Sequence, residues 1–563
     1  MTLKSTENLS LGGYLSAFDS ALEELSSREF LKNLHEKNSI LWKDTPEHRR
    51  IIENSLGWLD LPQSMSEKAA ELIEFSKEIH GSGFTRVVLL GMGGSSLAPL
   101  VFSEVFHQPL VQLELIVLDS TDPSAISSVL DSVDLLKTLF IVASKSGSTI
   151  EPLSLSDFFF DKLSKLTDKP GDNFIAITDE GSYLQNLARE QSFRQVFVNP
   201  SDIGGRYSAL SYFGLVPAAL IGVDIVGLLN SANSMALECS HESDEWESQG
   251  ARLGAALGAL ALKGRDKLTF LLPKKLSYFG LWLEQLIAES TGKDGKGIIP
   301  ISGEAQALGK DYSEDRVFVI IVVKGDKSFV NTIKDLRGVN YPVIEIEIED
   351  IYELGAQIYL WEVATAAAGV VIDINPFDQP DVEEAKKLTK AILKELPNKT
   401  ESAELTLPQS LTNSFDFLMM SGGEDSADIY SKIENFIESR IKEGGYLSLL
   451  SYTSPLIDTA TDARFTSIQD IRTKLMERFK VPTQFGFGPR YLHSTGQLHK
   501  GGPSKGIFIV FATPPTGSSE DLILPNGEFT FGQLIFSQAI GDAEALITKG
   551  RSLIFINLSK VSL

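Results

Sequence analysis

Apolar residues recur at helical spacing through the first eighty positions, and that spacing predicts helices over Tyr14 to Leu25, Glu29 to Lys37 and Glu67 to Ile79. Pro46 and Pro62 mark breaks between them. From Arg86 the pattern changes. Unbroken apolar runs at Val87 to Leu90, Leu115 to Leu118, Leu139 to Val142, Phe174 to Ile177 and Val196 to Val198 alternate with longer helical stretches. Strands apolar on both faces suit a parallel sheet covered by helices on both sides. After a helical stretch from Gly214 to Leu262 the pattern returns at Leu268 to Leu272, Val317 to Val323 and Val343 to Ile348, followed by a helix from Ile358 to Ala368. The segment Pro397 to Glu404 reads as a linker or edge. Beyond it, Tyr446 to Ser451, Ile507 to Ala512 and Leu553 to Leu558 read as strands, and Asp428 to Lys442 as a helix.

These elements predict an α/β chain: a helical arm over 1–80, doubly wound parallel-sheet domains over 81–235 and 236–397, and a smaller α/β unit over 398–563. Ligands are expected beyond the carboxyl ends of the strands. A chain of 563 residues exceeds what one hydrophobic core supports, which agrees with several domains. Lys and Arg number 51 against 75 Asp and Glu, and the net charge of −24 argues against nucleic acid or an anionic membrane as partner. A small anion remains acceptable, because a few local donors outweigh a distant screened field. Cys239 is the single cysteine, so no intramolecular disulfide can form and a reducing cytoplasm is expected. The first residues lack the apolar core of a secretion signal. The apolar run from Tyr212 is interrupted by Pro217 and closed by Asp224, so no membrane span is expected either.

Two strand ends carry candidate chemistry. The run Val87 to Leu90 leads into Gly91-Met92-Gly93-Gly94-Ser95-Ser96, where glycines let backbone approach a ligand and a following helix would aim free N–H groups at an anion. A turn of this kind can equally serve to pack helix on strand. The run Leu139 to Val142 leads into Ser144-Lys145-Ser146-Gly147-Ser148-Thr149-Ile150-Glu151-Pro152. Its hydroxyls suit phosphate oxygens, although serines at a helix start also act simply as caps. The spacing is not that of a Walker loop. Together the two loops predict one phosphomonoester pocket.

Between Leu281 and Gly297 a helix is predicted with Leu283, Leu286 and Ile287 on one face, and Gln285 and Glu289 on another. It stops at Thr291-Gly292, followed by Lys293 and Lys296. Taken alone, Glu289 reads as the partner of Lys293 in an exposed i,i+4 ion pair. Next to a phosphate pocket it reads as a positioned proton-transfer base.

The two loops resemble the phosphate-binding loops of sugar isomerase domains. Gly204-Gly205-Arg206-Tyr207-Ser208, Glu289-Ser290-Thr291-Gly292-Lys293 and the stretch Asn375 to Lys386 resemble signatures of the glucose-6-phosphate isomerase family, in the family's order. The likeness is greatest to the isomerase half of bifunctional transaldolase/glucose-6-phosphate isomerases, through Leu56 to Pro62 and Gly486 to Pro503. An arm of about eighty residues cannot hold the transaldolase barrel itself. The resemblance implies reversible aldose-ketose isomerisation of glucose 6-phosphate and fructose 6-phosphate through a cis-enediolate, with no metal and no cofactor. It implies Glu289 as base, Arg206 as the cation over the enediolate, and Lys386 as a ring-opening residue. Gly94, Ser95, Ser144, Lys145, Ser146, Ser148, Thr149, Gly205, Gln285 and Gln379 then line the substrate site.

Two departures stand out. The glycine of the family's last signature is Asp381 here. The ring-opening histidine that single-function members carry downstream of the Glu289 signature is missing from Ile301 to Lys310, where Gln306 cannot exchange a proton near neutral pH. The carboxyl-terminal unit is expected to supply the replacement, His499 or His493; Glu304 is a further alternative. His35, His48 and His80 read as ordinary histidines. The family is commonly dimeric with shared sites, whereas a carboxyl-terminal unit can cover the same surface, so homodimer and monomer both remain open. Alternative readings are a non-catalytic sugar-phosphate-binding regulator on the same scaffold and an isomerase that also accepts mannose 6-phosphate.

Overall fold

The computed structural model describes residues 9–106, 113–395, 411, 414, 417–420, 426–456, 462–515, 521–525, 527 and 529–559. The expected linker at 397–404 lies outside them. The amino-terminal arm opens with a two-residue strand, β1 (Leu9–Ser10), and continues through helices Leu15–Ser27, Phe30–His35, Pro46–Glu53 and Leu61–Gly81. Pro46 and Pro62, taken from the sequence as breaks, each stand within the first two positions of a helix. Proline's fixed φ suits that place and its missing N–H costs nothing there. The arm does not stand apart: Phe18, Leu22 and Leu25 share one apolar cluster with the helices Gln249–Leu262 and Leu354–Val371.

The first sheet holds β2 (Arg86–Leu90), β3 (Glu114–Leu118), β4 (Thr138–Ala143), β5 (Phe174–Asp179) and β6 (Gln195–Asn199), all parallel, in the order β3-β2-β4-β5-β6. The second holds β7 (Lys267–Leu271), β8 (Ile299–Ile301), β9 (Arg316–Val323) and β10 (Val343–Ile348), with β1 added antiparallel at the β10 edge. The periodicity missed β8 because it is three residues long and contains Pro300, which a short edge strand tolerates. Helix Leu354–Val371 is buried at every position, which accounts for its all-round apolarity.

The carboxyl-terminal unit is a complete five-stranded parallel sheet rather than the smaller piece that the apolar runs suggested. It contains β11 (Phe417–Met420), β12 (Tyr446–Tyr452), β13 (Thr483–Phe487), β14 (Gly506–Ala512) and β15 (Ser552–Asn557), in the order β11-β15-β14-β12-β13. This sheet is docked on both others. Ala288, Ile299 and Ile301 enter its core beside Tyr491 and Phe508, while Leu524, Phe531 and Leu534 pack into the core of the first sheet. Polar contacts fix the register of the seams. Arg490 binds Asp119 through two hydrogen bonds of 2.7 Å, and Arg472 donates to the carbonyls of Ser302 and Gly303 at 3.0 Å.

The Asp119 side chain is fully buried, so removing its partner strands a desolvated carboxylate. Arg490→Leu is expected to cost about 3 kcal/mol, read as a lowered thermal unfolding midpoint. The double variant Asp119→Asn/Arg490→Leu is expected to recover most of that loss, and additive losses would show that the pair does not hold the seam.

Candidate active site

Strands β2 and β4 are neighbours, so the loops at their carboxyl ends lie side by side and form one wall of a cleft of about 1040 Å³. The other walls are the base helix Phe279–Thr291, the turn Gly204–Arg206, the segment 375–386, the arm helix Pro46–Glu53 and the Leu492–His493 step of the carboxyl-terminal unit. Gly93 and Gly94 show why the first loop is glycine-rich. A Cβ on Gly94 would lie 2.0 Å from the carbonyl oxygen of Gly205, and one on Gly93, whose φ is +53°, 2.5 Å from that of His493. Close approach of protein segments demands these glycines, while Gly94 and Ser95 still line the cleft. In the second loop Ser144 donates to Thr149 at 3.1 Å and accepts from the N–H of Gly147. Helix Ile150–Ser164 begins there with no side chain capping its first turn, which leaves amide donors and the positive dipole end for an anion. Lys145 is held by Asp179 and by the carbonyl of Ser201.

Across the cleft, the helix face predicted to be polar carries Gln285 and Glu289. The Glu289 carboxylate lies 3.2 Å from Nη1 of Arg206, which is buried. Arg206 also donates to Ser290 Oγ at 2.7 Å, Gln379 Oε1 at 3.0 Å, and the carbonyls of Pro376 and Asp378 at 2.7 and 3.1 Å. Gln285 Nε2 bridges Glu289, at 3.3 Å, and the backbone carbonyl of His493, at 2.7 Å. The other amide atom of Gln285, its buried Oε1, has no partner and is free to accept from a ligand hydroxyl.

The His493 ring reaches into the same cleft, with Nε2 at 3.0 Å from Glu151 Oε1. Glu151 also accepts from Gln538 Nε2 at 2.7 Å. Burial raises the Glu151 pKa, but attraction and hydrogen bonding to His493 outweigh it and the net shift is downward, so the carboxyl is anionic. An anionic carboxylate only accepts, so Nε2 is the donor to Glu151 and Nδ1 is the ring nitrogen that Glu151 does not engage. A partly buried carboxylate, a buried guanidinium, a carboxylate-held imidazole and a hydroxyl-rich loop at a helix start thus surround one space.

A family model of phosphoglucose isomerase matches residues 65–299 and 299–414. The chain belongs to the phosphoglucose isomerase family. It is 31% identical over 401 residues to a glucose-6-phosphate isomerase of Carboxydothermus hydrogenoformans, covering 61% of this chain and 85% of that protein. It is 30% identical over 407 residues to one of Exiguobacterium sibiricum, covering 62% and 89%. In fold it resembles a solved glucose-6-phosphate isomerase of Chlamydia trachomatis, with a TM-score of 0.54, 20% identity and coverage of 67% of this chain and 86% of the other. A hypothetical protein of Thermus thermophilus aligns with a TM-score of 0.56 and 24% identity, over 68% and 99% of the two chains. His493 lies beyond the residues that the family model matches.

In this isomerase most residues expected at the site line the cleft: Gly94, Ser95, Ser144, Lys145, Ser146, Thr149, Gly205, Arg206, Gln285, Glu289, Gln379 and Lys386. Ser148 stands one step behind, exposed and bonded to Ser146. Lys386 faces the cleft but is half-exposed and paired with Glu383 at 2.7 Å. His499 is a correction. Helix Gly496–Gly501 turns it into the core of the carboxyl-terminal sheet, 3.1 Å from Gln484 and against Phe508, and it does not reach the cleft. Burial, with Lys500 and Arg551 near, drives its pKa well below the ordinary value. Glu304 is likewise occupied elsewhere, bound to Arg316 at 2.6 Å and to the N–H of Thr483 at 2.7 Å. The exposed Glu289–Lys293 pair does not form, since Glu289 pairs with Arg206 and Lys293 is buried against Asp378.

Two further cleft residues, and the carboxylate behind His493, had no strong sequence signal. Lys293 looked like an exposed helix-end lysine and His48 like an ordinary arm histidine, while Glu151 was only one member of the 144–152 stretch. His48 lines the cleft, 3.0 Å from Asn375 and 3.3 Å from Asp378.

On the opposite face of the base helix, Glu284 is buried, with one hydrogen bond of 2.9 Å from the Ser302 N–H. Burial pushes its pKa up from 4.5 to about 8, only partly offset by Arg472. With a raised folded-state value, its contribution to stability is present below pH 4.5 and is lost as pH rises through about 8. Glu284→Gln is therefore expected to match wild type in thermal midpoint at the acid end and to gain on it steadily up to pH 8. A difference independent of pH would contradict the assignment.

Proposed function

We propose that the cleft interconverts glucose 6-phosphate and fructose 6-phosphate by carboxylate-mediated proton transfer. The observation that carries this reading is the Glu289 carboxylate, partly buried against Arg206 and opposite the uncapped anion loop. The phosphate would sit on the 144–149 loop, leaving the sugar toward Glu289. His493 opens the ring: one proton leaves the anomeric hydroxyl and one reaches the ring oxygen as the C1–O bond breaks. Glu289 then takes the C2 proton, the electron pair forms the C1–C2 double bond, and the enediolate charge develops beside Arg206. A proton passes from O2 to O1, Glu289 returns its own proton to C1, and the C2–O bond becomes the carbonyl of the ketose. A developing oxyanion in a water-poor site next to a preorganised cation is where electrostatic stabilisation counts most.

Between His493 and Lys386 as ring opener, the geometry favours His493. Its ring is fixed by a buried carboxylate, and imidazole exchanges protons near neutral pH, whereas Lys386 is half-exposed and committed to Glu383. Because His493 comes from the same chain, the proposed site needs no second copy and can act in a monomer; the single cysteine is what favours the cytoplasm as its setting.

A coupled assay of fructose 6-phosphate conversion tests it. Glu289→Gln is expected to lose roughly 10³-fold or more in kcat while still binding substrate. His493→Ala is expected to lose about 10²-fold on cyclic hexose phosphate, yet to keep its rate on an aldose phosphate too short to cyclise. Unchanged turnover in Glu289→Gln refutes the base. Substrate binding without turnover in wild type supports a regulator instead.

A further inference from the structure

Lys293 stands two residues past the end of the helix that carries Glu289 and has no part in the steps above. Its ammonium is buried and donates to the Asn375 carbonyl at 2.7 Å, to the Asp378 carbonyl, and to Asp378 Oδ1 at 2.8 Å. Arg206 takes the carbonyls of Pro376 and Asp378, and the next residue, Gln379, gives it Oε1. Segment 375–379 is thus wrapped around two cations through one shared carbonyl. The charged groups facing Lys293 are Arg206 from the turn that follows Gly204 and Gly205, Glu289 from the helix that ends just before Lys293, and Asp378 from the wrapped segment. Behind Asp378 stands His48 of the arm, 3.3 Å from its second oxygen. Arg206 and Lys293 balance Glu289 and Asp378. Loss of the Lys293 proton would leave a negative excess where the enediolate must form.

We propose that Lys293 is a positioning residue for the reaction: its ammonium shapes segment 375–379 around Arg206 and keeps the charge cluster neutral, so turnover requires its protonated form. The inference rests on the isomerase reading above. Burial and the neighbouring Arg206 lower the ammonium's pKa to about 8, against the pull of Asp378 and Glu289. The cation is present below that value and is lost as pH rises through it, so kcat falls on the alkaline side near pH 8. KM, governed by the phosphate loop, changes less.

The test compares kcat and KM against pH for wild type, Lys293→Arg and Lys293→Met. It adds the affinities of inorganic phosphate and of an aldonic acid phosphate, whose planar carboxylate mimics the enediolate. Lys293→Arg is expected to keep kcat within about tenfold of wild type and to lose the alkaline fall, since guanidinium stays charged. Lys293→Met is expected to lose about 10²-fold in kcat, to bind the aldonate about tenfold more weakly, and to bind phosphate unchanged. Full kcat in Lys293→Met, or the wild-type alkaline fall persisting in either variant, overturns the proposal. Should Lys293→Met not fold, the pH profile of Lys293→Arg decides alone. A wild type without turnover at any pH refutes the isomerase reading itself, and this inference with it.

Discussion

The active cleft depends on one buried cation. Arg206 is nearly inaccessible, and a guanidinium away from water is tolerable only when its charge and its donors are met. The donors are met by Ser290, Gln379, Pro376 and Asp378, and the charge by Glu289. These partners belong to the base helix and to the segment after helix Leu354–Val371. Satisfying one side chain therefore fixes the relative position of a turn, a helix and a loop. The glycine at 94 lets the phosphate-side loop come up against the same turn.

The carboxyl-terminal sheet changes the meaning of that arrangement. It closes the cleft with the His493 loop, and three kinds of contact hold it there: apolar cores continuous with both other sheets, the Arg490–Asp119 pair, and Gln285 bonded to the His493 carbonyl. Gln285 is thus shared between the base and the loop that carries the imidazole. A shift of the sheet would move both, so docking and chemistry are coupled through one amide.

Much of this was legible before any coordinates. The unbroken apolar runs located the strands of the first sheet and most of the second, because parallel strands covered on both faces leave that trace in composition. The strand-end loops and the Gln285/Glu289 face followed from strand and helix periodicity. Strands β1, β8, β11 and β13 were missed, being short or interrupted by Pro300 and Gly486. Lys293 was misread for a different reason. A lysine just past a helix end is normally solvated, and the carbonyls of Asn375 and Asp378 together with the Asp378 carboxylate make a buried ammonium acceptable there.

What the sequence determined by itself was the set of local structures and the motif order: a hydroxyl-rich loop after a strand, a carboxylate and an amide one turn apart, and an arginine after two glycines. What only the tertiary structure decided was which titratable groups share the cleft. His493 and His499 stand in one polar stretch, and nothing in their spacing separates them. A single turn of helix sends His499 into the core toward Gln484 and leaves His493 facing Glu151, a partner 342 positions away along the chain. Burial and pairing at that range are properties of packed surfaces, not of neighbouring residues, so the choice between the two histidines exists only once the three sheets are assembled.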